Sequence, residues 1–145
     1  MSETESPSDE QESVPSGVEL RMAADPTQLS IVRAVAADIA MRQDFDLDSI
    51  EDLKLAVDEA CSTLIGLAAP AAVLSARFVV TDGAVRVATQ VVTKRSAPPD
   101  RESFGWRVLT ALVDSVTTWV APQAGDAEYV VHIDLVKRSL GMVDA

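Results

Sequence analysis

The sequence lacks the residues that build disulfide frameworks and zinc sites. Its 145 residues include one cysteine, Cys61, and one histidine, His132. A single cysteine cannot form an internal disulfide, and one cysteine with one histidine falls short of the ligand set of a structural zinc ion. Redox chemistry through a cysteine pair and structural zinc binding are therefore excluded.

Positive charge is also scarce. There are 12 Lys and Arg residues against 23 Asp and Glu residues, which gives a formal net charge of −11. Affinity for nucleic acid comes chiefly from Lys and Arg side chains that neutralise phosphates, and no basic cluster interrupts this acidic sequence. We therefore expect no direct binding to DNA or RNA.

Long hydrophobic runs are absent as well. No stretch approaches the roughly 18 apolar residues that span a bilayer. The N-terminus is acidic, whereas a secretory signal begins with basic residues and continues with apolar ones. We therefore expect a soluble, cytoplasmic protein that does not associate with membranes.

The charge is unevenly distributed along the chain. Residues 1–16 hold five acids and no base, which leaves 18 acids against 12 bases in the remainder. This segment has too few large apolar groups to offset the entropy of ordering it, so it is predicted to be a disordered acidic tail. Residues 17–140 are predicted to form one domain, and 141–145 a C-terminal tail.

Hydrophobic periodicity predicts the helices and strands of this domain. Asp25 before Pro26 indicates the start of the first helix, and Asp48 with Glu51 resembles a capping box that opens the second. Asp82-Gly83 is a strong hairpin signal. The predicted elements are a strand at 18–22, helices at 26–42 and 48–68, strands at 71–80 and 84–92, an exposed loop at 93–103, a helix from Phe104, and strands at 116–120 and 127–137.

The order of these elements, β-α-α-β-β-α-β-β, indicates the fold class. Helices that come in pairs between strands argue against a doubly wound parallel sheet. We predict an α+β, two-layer sandwich in which the helices cover one face of a mostly antiparallel sheet.

The second helix has a buried arc and a more polar side. Its polar side carries the possible chemistry, because Glu59 and Thr63 are four residues apart and share a helix face. A carboxylate there could serve as a general base or help to hold Mg²⁺. The alternative is a solvated helix face without chemistry. The residues assigned to this side are Asp52, Ala56, Glu59, Thr63 and Gly66.

The segment from Glu59 to Thr63, Glu-Ala-Cys-Ser-Thr, resembles the N-box of the GHKL (Bergerat-fold) ATPases. It is most similar to the small anti-sigma factor serine kinases of the RsbW and SpoIIAB type, in which Glu-Ala-x-x-Asn follows an apolar stretch. The resemblance extends over about residues 17–137 and includes the order and size of the elements. It implies the Bergerat fold.

The resemblance also implies site residues. Glu59 matches the carboxylate that family kinases use as the base for the acceptor serine. Thr63 occupies the position of the magnesium-binding asparagine, and Gly105 matches a glycine of the box where ATP phosphates meet a helix N-terminus. Arg33 matches an arginine of the first helix that contacts partner proteins.

Two departures from the family pattern bear on ATP and Mg²⁺. Threonine offers a weaker and shorter metal ligand than asparagine at position 63. The Asp-x-Gly-x-Gly motif, whose aspartate binds adenine, should follow the strand at 84–92, but the sequence at 91–98 reads VVTKRSAP. We therefore expect weak or absent ATP binding, as in the actinobacterial branch of RsbW-type proteins that hold a stress-response sigma factor of the sigma-F kind.

Three functions remain open. The favoured hypothesis is an anti-sigma factor that sequesters an RNA polymerase sigma factor and is countered by an anti-anti-sigma protein with a STAS domain. The resemblance further implies homodimerisation through the edge of the first strand. The alternatives are an active ATP-dependent serine kinase that phosphorylates this antagonist, and a scaffold domain without a sigma partner.

The remaining distinctive side chains have structural interpretations. Trp106 and Trp119 are interpreted as packing aromatics, because no basic groove surrounds them. His132 lies in a strand without a nearby nucleophile, which favours a structural role. Cys61 falls on the apolar arc of the second helix and is predicted to be a small buried hydrophobic residue.

Overall fold

The computed structural model of the chain describes residues 17–123 and 127–139. The order of its strands and helices confirms the β-α-α-β-β-α-β-β prediction. The tails predicted at 1–16 and 141–145 lie outside the described residues. The elements are β1 (Val18–Ala23), α1 (Leu29–Arg42), α2 (Leu47–Leu67), β2 (Val73–Thr81), β3 (Ala84–Thr93), α3 (Phe104–Leu112), β4 (Ser115–Pro122) and β5 (Tyr129–Arg138).

The five described strands form one antiparallel sheet in the order β1-β2-β3-β5-β4. Alternate residues of each strand point to one face, where they meet the helices. On β2, for example, Leu74, Ala76 and Phe78 are buried in the core. The α+β two-layer sandwich is confirmed, with the helices on one face of the sheet.

The β2–β3 hairpin follows from its turn residues. Asp82 and Gly83 have φ angles of 33° and 77°, and Thr81 pairs with Ala84 across them. A two-residue turn with positive φ at both positions matches the right-handed twist of the strands that it joins. This confirms the hairpin prediction at Asp82-Gly83.

The central helix of the helical layer is α2. It packs against β3 and β5 on the sheet and is flanked by both α1 and α3. Leu53, Val57 and Leu64 are fully buried, as the periodicity predicts. Ala56, which was assigned to the polar side, is also fully buried. That assignment was wrong because α2 has neighbours on three sides and so buries more than one stripe.

Two helix starts differ from the sequence prediction. Asp25 caps a short 3-10 turn over Pro26–Gln28, so α1 itself begins at Leu29. The N-cap of α2 is Asp46 rather than Asp48, and its carboxylate accepts hydrogen bonds from the Ser49 backbone N–H and hydroxyl. Among the described residues, no helix combines the length and apolar character needed to cross a membrane.

Candidate functional site

Two neighbouring acids of α2 contact different helices. Asp58 forms an ion pair with Arg33 of α1, whereas the Glu59 carboxylate lies against Gly105 in the first turn of α3. Consecutive helix residues point about 100° apart, which is why adjacent side chains reach separate partners. The structure thus places the predicted residues Glu59 and Gly105 in contact and positions Arg33 elsewhere.

The Arg33–Asp58 ion pair crosses from α1 to α2. The distance from Arg33 Nη1 to Asp58 Oδ1 is 2.5 Å, and the two side chains are 40% and 32% exposed. Asp58 therefore orients the guanidinium, while the Arg33 side chain stays partly exposed to solvent. Sequence reasoning missed this role of Asp58, because the two residues are 25 positions apart and no local pattern links them.

The contact between Glu59 and Gly105 depends on the missing side chain of glycine. A Cβ atom at position 105 would lie 3.1 Å from Glu59 Cδ and nearer still to Glu59 Oε2. The first turn of α3 begins at Ser103, whose hydroxyl accepts a hydrogen bond from the Trp106 backbone N–H at 3.1 Å. A carboxylate at this end of a helix is favoured by the helix dipole. Glu59 therefore brings negative charge to the place where the resemblance expects phosphate.

Thr63 lies one turn beyond Glu59 on α2 and is partly buried. Its hydroxyl extends only one bond from Cβ, whereas Mg²⁺ demands several oxygen ligands in near-octahedral geometry. The described residues contain no cluster of three or more His, Cys, Asp or Glu side chains that could hold a metal ion. The donor set at Glu59 and Thr63 therefore does not fit a Mg²⁺ ion held by the chain itself.

The expected adenine end of the site lies where β3 stops. Thr93, the last residue of β3, is 1% exposed, and its hydroxyl accepts a hydrogen bond from the Arg95 backbone N–H. The following segment, 94–103, contains no glycine and two acids. Of these, Asp100 accepts a hydrogen bond from the Glu102 backbone N–H at 2.8 Å. The prediction of a wholly exposed loop is corrected by Pro99, which is buried.

The end of β3 lacks the groups that hold adenine in the family. The β3 end supplies no carboxylate at the family's adenine-binding position, and the loop after it lacks the glycines that let a backbone approach a nucleotide closely. The end of β3 and the loop after it therefore do not fit the adenine of a nucleotide bound in the family's manner.

The prediction that Cys61 is buried in the core is confirmed. It is fully buried, and burial, with a smaller contribution from the negative charge of Asp58, raises the pKa of its thiol to about 12. Because the thiolate is the reactive form, we expect the folded chain to resist alkylation by iodoacetamide at pH 8, while the chain in urea reacts fully. Mass spectrometry after a timed pulse measures this difference, and rapid labelling of the folded chain would contradict the burial of Cys61.

Comparison with known protein families identifies the domain. The histidine kinase-like ATPase domain family matches residues 22–128, which is most of the chain. The chain belongs to this family. Members of the family are ATPase domains, and the match runs from the last two residues of β1 to the residue before β5, so it includes every site residue discussed above.

Individual relatives show which members of this family the chain resembles. Over 108 residues, the chain is 41% identical to the anti-sigma-F factor RsbW of Mycobacterium tuberculosis, an alignment that covers 70% of this chain and 61% of that protein. Over 48 residues, it is 40% identical to the serine-protein kinase RsbW of Bacillus velezensis, covering 33% of this chain and 30% of the relative. The chain thus spans less than two thirds of the length of these relatives. The resemblance to the RsbW type is confirmed.

A solved structure shares the fold of this ATPase domain. The RsbU and RsbW domains of a Mycobacterium tuberculosis protein superpose with a TM-score of 0.59 and 20% identity, covering 85% of this chain and 32% of that one. Identity at this level shows the fold alone. It agrees with the Bergerat-type architecture expected from the sequence.

Proposed function

We propose that this chain is an anti-sigma factor that sequesters a stress-response sigma factor of the sigma-F kind and so represses transcription from that factor's promoters. The observation that carries the proposal is the 41% identity to an anti-sigma-F factor. It is combined with an accessible Arg33 and with a nucleotide corner, formed by Glu59, Gly105 and the end of β3, that lacks the family's adenine contacts. In such a protein the binding surface matters more than catalysis. Because sigma factors act on RNA polymerase, this function places the protein in the cytoplasm.

The proposed sigma-binding surface centres on Arg33. Asp58 holds the Arg33 guanidinium in one orientation while leaving it 40% exposed. An arginine whose conformation is already fixed loses less entropy on binding and can engage a partner carboxylate with two hydrogen bonds.

Release of the sigma factor requires competition. We propose that an anti-anti-sigma protein with a STAS domain binds a surface that overlaps the Arg33 region, so that the two partners exclude each other. Such exclusion needs comparable binding free energies and no chemical step. Nucleotide is not required for either contact, and ATP with Mg²⁺ is expected to bind weakly or not at all.

Substitution of Glu59 tests whether the nucleotide corner lies outside the sigma-binding surface around Arg33. We expect Glu59→Ala to change the affinity for the sigma factor by less than about twofold, because Glu59 contacts α3 rather than the α1 surface. Isothermal titration of the sigma factor into each variant measures the effect, with Leu55→Ala, an exposed residue of the same helix, as the matched control. Loss of capture on Glu59→Ala alone would place the nucleotide corner inside the sigma-binding surface.

An active serine kinase is the second candidate function. The observation that favours it is the retained Glu59, which meets Gly105 at the first turn of α3 as a family base and phosphate glycine would. Under this candidate, the chain phosphorylates its anti-anti-sigma antagonist. The lost adenine contacts at the end of β3 argue against it.

Homodimerisation is also part of the proposal. In the described sheet, β1 is an edge strand with β2 on one side. An exposed edge presents backbone N–H and C=O groups that a second copy can pair with. We propose that two copies associate through β1, and sedimentation equilibrium of the purified chain measures the stoichiometry.

The test of the proposed function is direct capture. Immobilised chain is incubated with purified sigma factors of the sigma-F kind and, as a control, with the housekeeping sigma factor, without nucleotide. The proposal expects retention of a stress-response factor and not of the housekeeping factor. Failure to retain any stress-response factor would favour the scaffold interpretation.

A further inference from the structure

The sheet face that points away from the helices carries an aromatic stack and a group of arginines. The rings of Trp119 on β4 and His132 on β5 are stacked with centroids 4.5 Å apart and an interplanar angle of 9°. Trp119 is 43% exposed. A shallow cavity of about 540 Å³ joins this stack to Arg77 and Arg86. We call this surface the outer sheet face.

The charge of the outer sheet face differs from that of α1 and α2. Residues 24–67, which form the helical layer up to the end of α2, hold nine acids and three bases. On the outer sheet face, Arg21, Arg77, Arg86 and Arg138 stand against Asp134 and against Glu19, which lies opposite Arg77. Glu128 shares a cavity with Arg21. Only Arg86 forms an ion pair between described residues in this group, at 2.9 Å to Asp134. This face can therefore accept further carboxylates, whereas α1 and α2 would repel them.

We propose that the acidic segment 1–16 of this chain docks on its own outer sheet face, where its carboxylates meet Arg21 and Arg77 and its backbone covers the Trp119–His132 stack. The segment has five acids, at positions 3, 5, 9, 10 and 12, and no base. Its charge therefore complements the outer sheet face and is of the same sign as that of α1 and α2.

Segment 1–16 is joined to β1 at the border of the outer sheet face, so docking there needs no long connection. Val18 pairs with Phe78, so Gly17 lies level with Val79, which lines the cavity and pairs with Arg86. The segment thus joins the domain at the border of the face that it is proposed to cover. Sixteen extended residues reach about 50 Å, whereas five strands span only about 20 Å across the sheet. The short tether gives the segment a high effective concentration at this face.

The chain offers a specific probe for this docking, because His132 is its only histidine. Burial lowers the pKa of His132, and the negative charge of Asp134 acts in the opposite direction. Carboxylates that dock nearby would raise this pKa. Nuclear magnetic resonance can follow the single imidazole in the full 145-residue chain without assigning other signals.

The experiment compares the native chain with the charge-neutral variant E3Q/E5Q/D9N/E10Q/E12Q. At low ionic strength, we expect the pKa of His132 to be about half a pH unit higher in the native chain, since nearby opposite charge favours the imidazolium. Sodium chloride at about 0.5 M should remove this difference, because it screens exposed charges beyond a few ångströms. Equal pKa values in the two chains at low salt would overturn the proposal.

Repeating the comparison in two double variants of the folded domain locates the docking surface. In the variant Arg21→Gln/Arg77→Gln, the difference in the pKa of His132 between chains with the native and the neutralised segment should fall by at least half. In Lys94→Gln/Arg95→Gln, a matched pair on the loop after β3, the difference should remain. A difference that is unchanged by the first pair, or that grows with protein concentration as contact between two copies would require, would overturn the proposal.

Discussion

Arg33→Ala is expected to weaken capture of the sigma factor by about thirtyfold or more. Truncation of a central interface arginine typically costs about 2 kcal/mol or more, and about 1.4 kcal/mol corresponds to each factor of ten in affinity. Arg33 fits this role because Asp58 fixes its guanidinium while part of it stays exposed. Titration calorimetry with the purified sigma factor measures the change.

Matched variants distinguish this role from a general loss of charge or of folding. Arg42→Ala removes an arginine from the same helix, one that is 75% exposed and paired with Asp38 within its own helix. It should change the affinity by less than about threefold, as rim charges do. Asp58→Asn should give an intermediate loss, because Arg33 keeps its charge and loses its orientation. Equal effects of Arg33→Ala and Arg42→Ala would contradict a specific role for Arg33.

Stability of the variants provides the necessary control. The Arg33–Asp58 pair is partly exposed, and such pairs contribute only about 1 kcal/mol or less to folding. Arg33→Ala should therefore unfold at nearly the same urea concentration as the native chain. A loss of capture with unchanged unfolding then reports on the interface alone.

Phe78→Ala is expected to lower the free energy of unfolding by about 3–5 kcal/mol, the range measured for Phe→Ala in protein cores. Phe78 is 1% exposed and lies in β2 between Val18 of β1 and Val87 of β3. Its ring fills the layer between the sheet and the helices. Because domains are typically stable by only about 5–15 kcal/mol, this variant should be close to unfolding at 37 °C. Urea denaturation followed by circular dichroism measures the loss.

The neighbouring residue supplies the control for this prediction. Val79 is the next residue along β2, points to the outer sheet face and lines its shallow cavity. Val79→Ala should cost less than about 1 kcal/mol, since surface substitutions have small effects. Comparable losses for Phe78→Ala and Val79→Ala would mean that the register of β2, and with it the buried face of the sheet, is wrong.

The fold was predictable where local sequence signals agree with the tertiary structure. Asp82-Gly83 predicts its hairpin because few residue pairs tolerate two positive φ angles in succession. The apolar arc of α2 predicts a helix because residues such as Leu53, Val57 and Leu64 recur at helical spacing and are all fully buried. These features need no knowledge of distant parts of the chain.

The errors arose where several local signals compete or where packing overrides them. Asp46 and Asp48 are both plausible N-caps, and Asp46 caps α2 because Ser49 lies three residues after it and donates to its carboxylate. Ala56 was assigned to the polar side because a single stripe was assumed, yet α2 is covered by two helices as well as by the sheet. Such neighbours are not encoded in a local period.

The candidate site depends on contacts between distant segments. No spacing rule connects Arg33 to Asp58, or Glu59 to Gly105, which are 46 positions apart in the sequence. The resemblance to the family indicated that Glu59 and Gly105 belong to one corner, and their contact agrees with it. The partner of Arg33 required the structure. The roles proposed for Arg33, Glu59, Thr63 and Gly105 stay predictions until the variants are measured.

We propose that this domain keeps the family fold while it works by occupying a partner protein rather than by using nucleotide. The most direct test incubates the chain with labelled ATP, Mg²⁺ and the candidate antagonist, beside a sigma-binding assay without nucleotide. We expect sigma binding in the second assay and no label on the antagonist in the first. Transfer of label to a serine of the antagonist, together with saturable Mg²⁺-dependent binding of ATP, would contradict it.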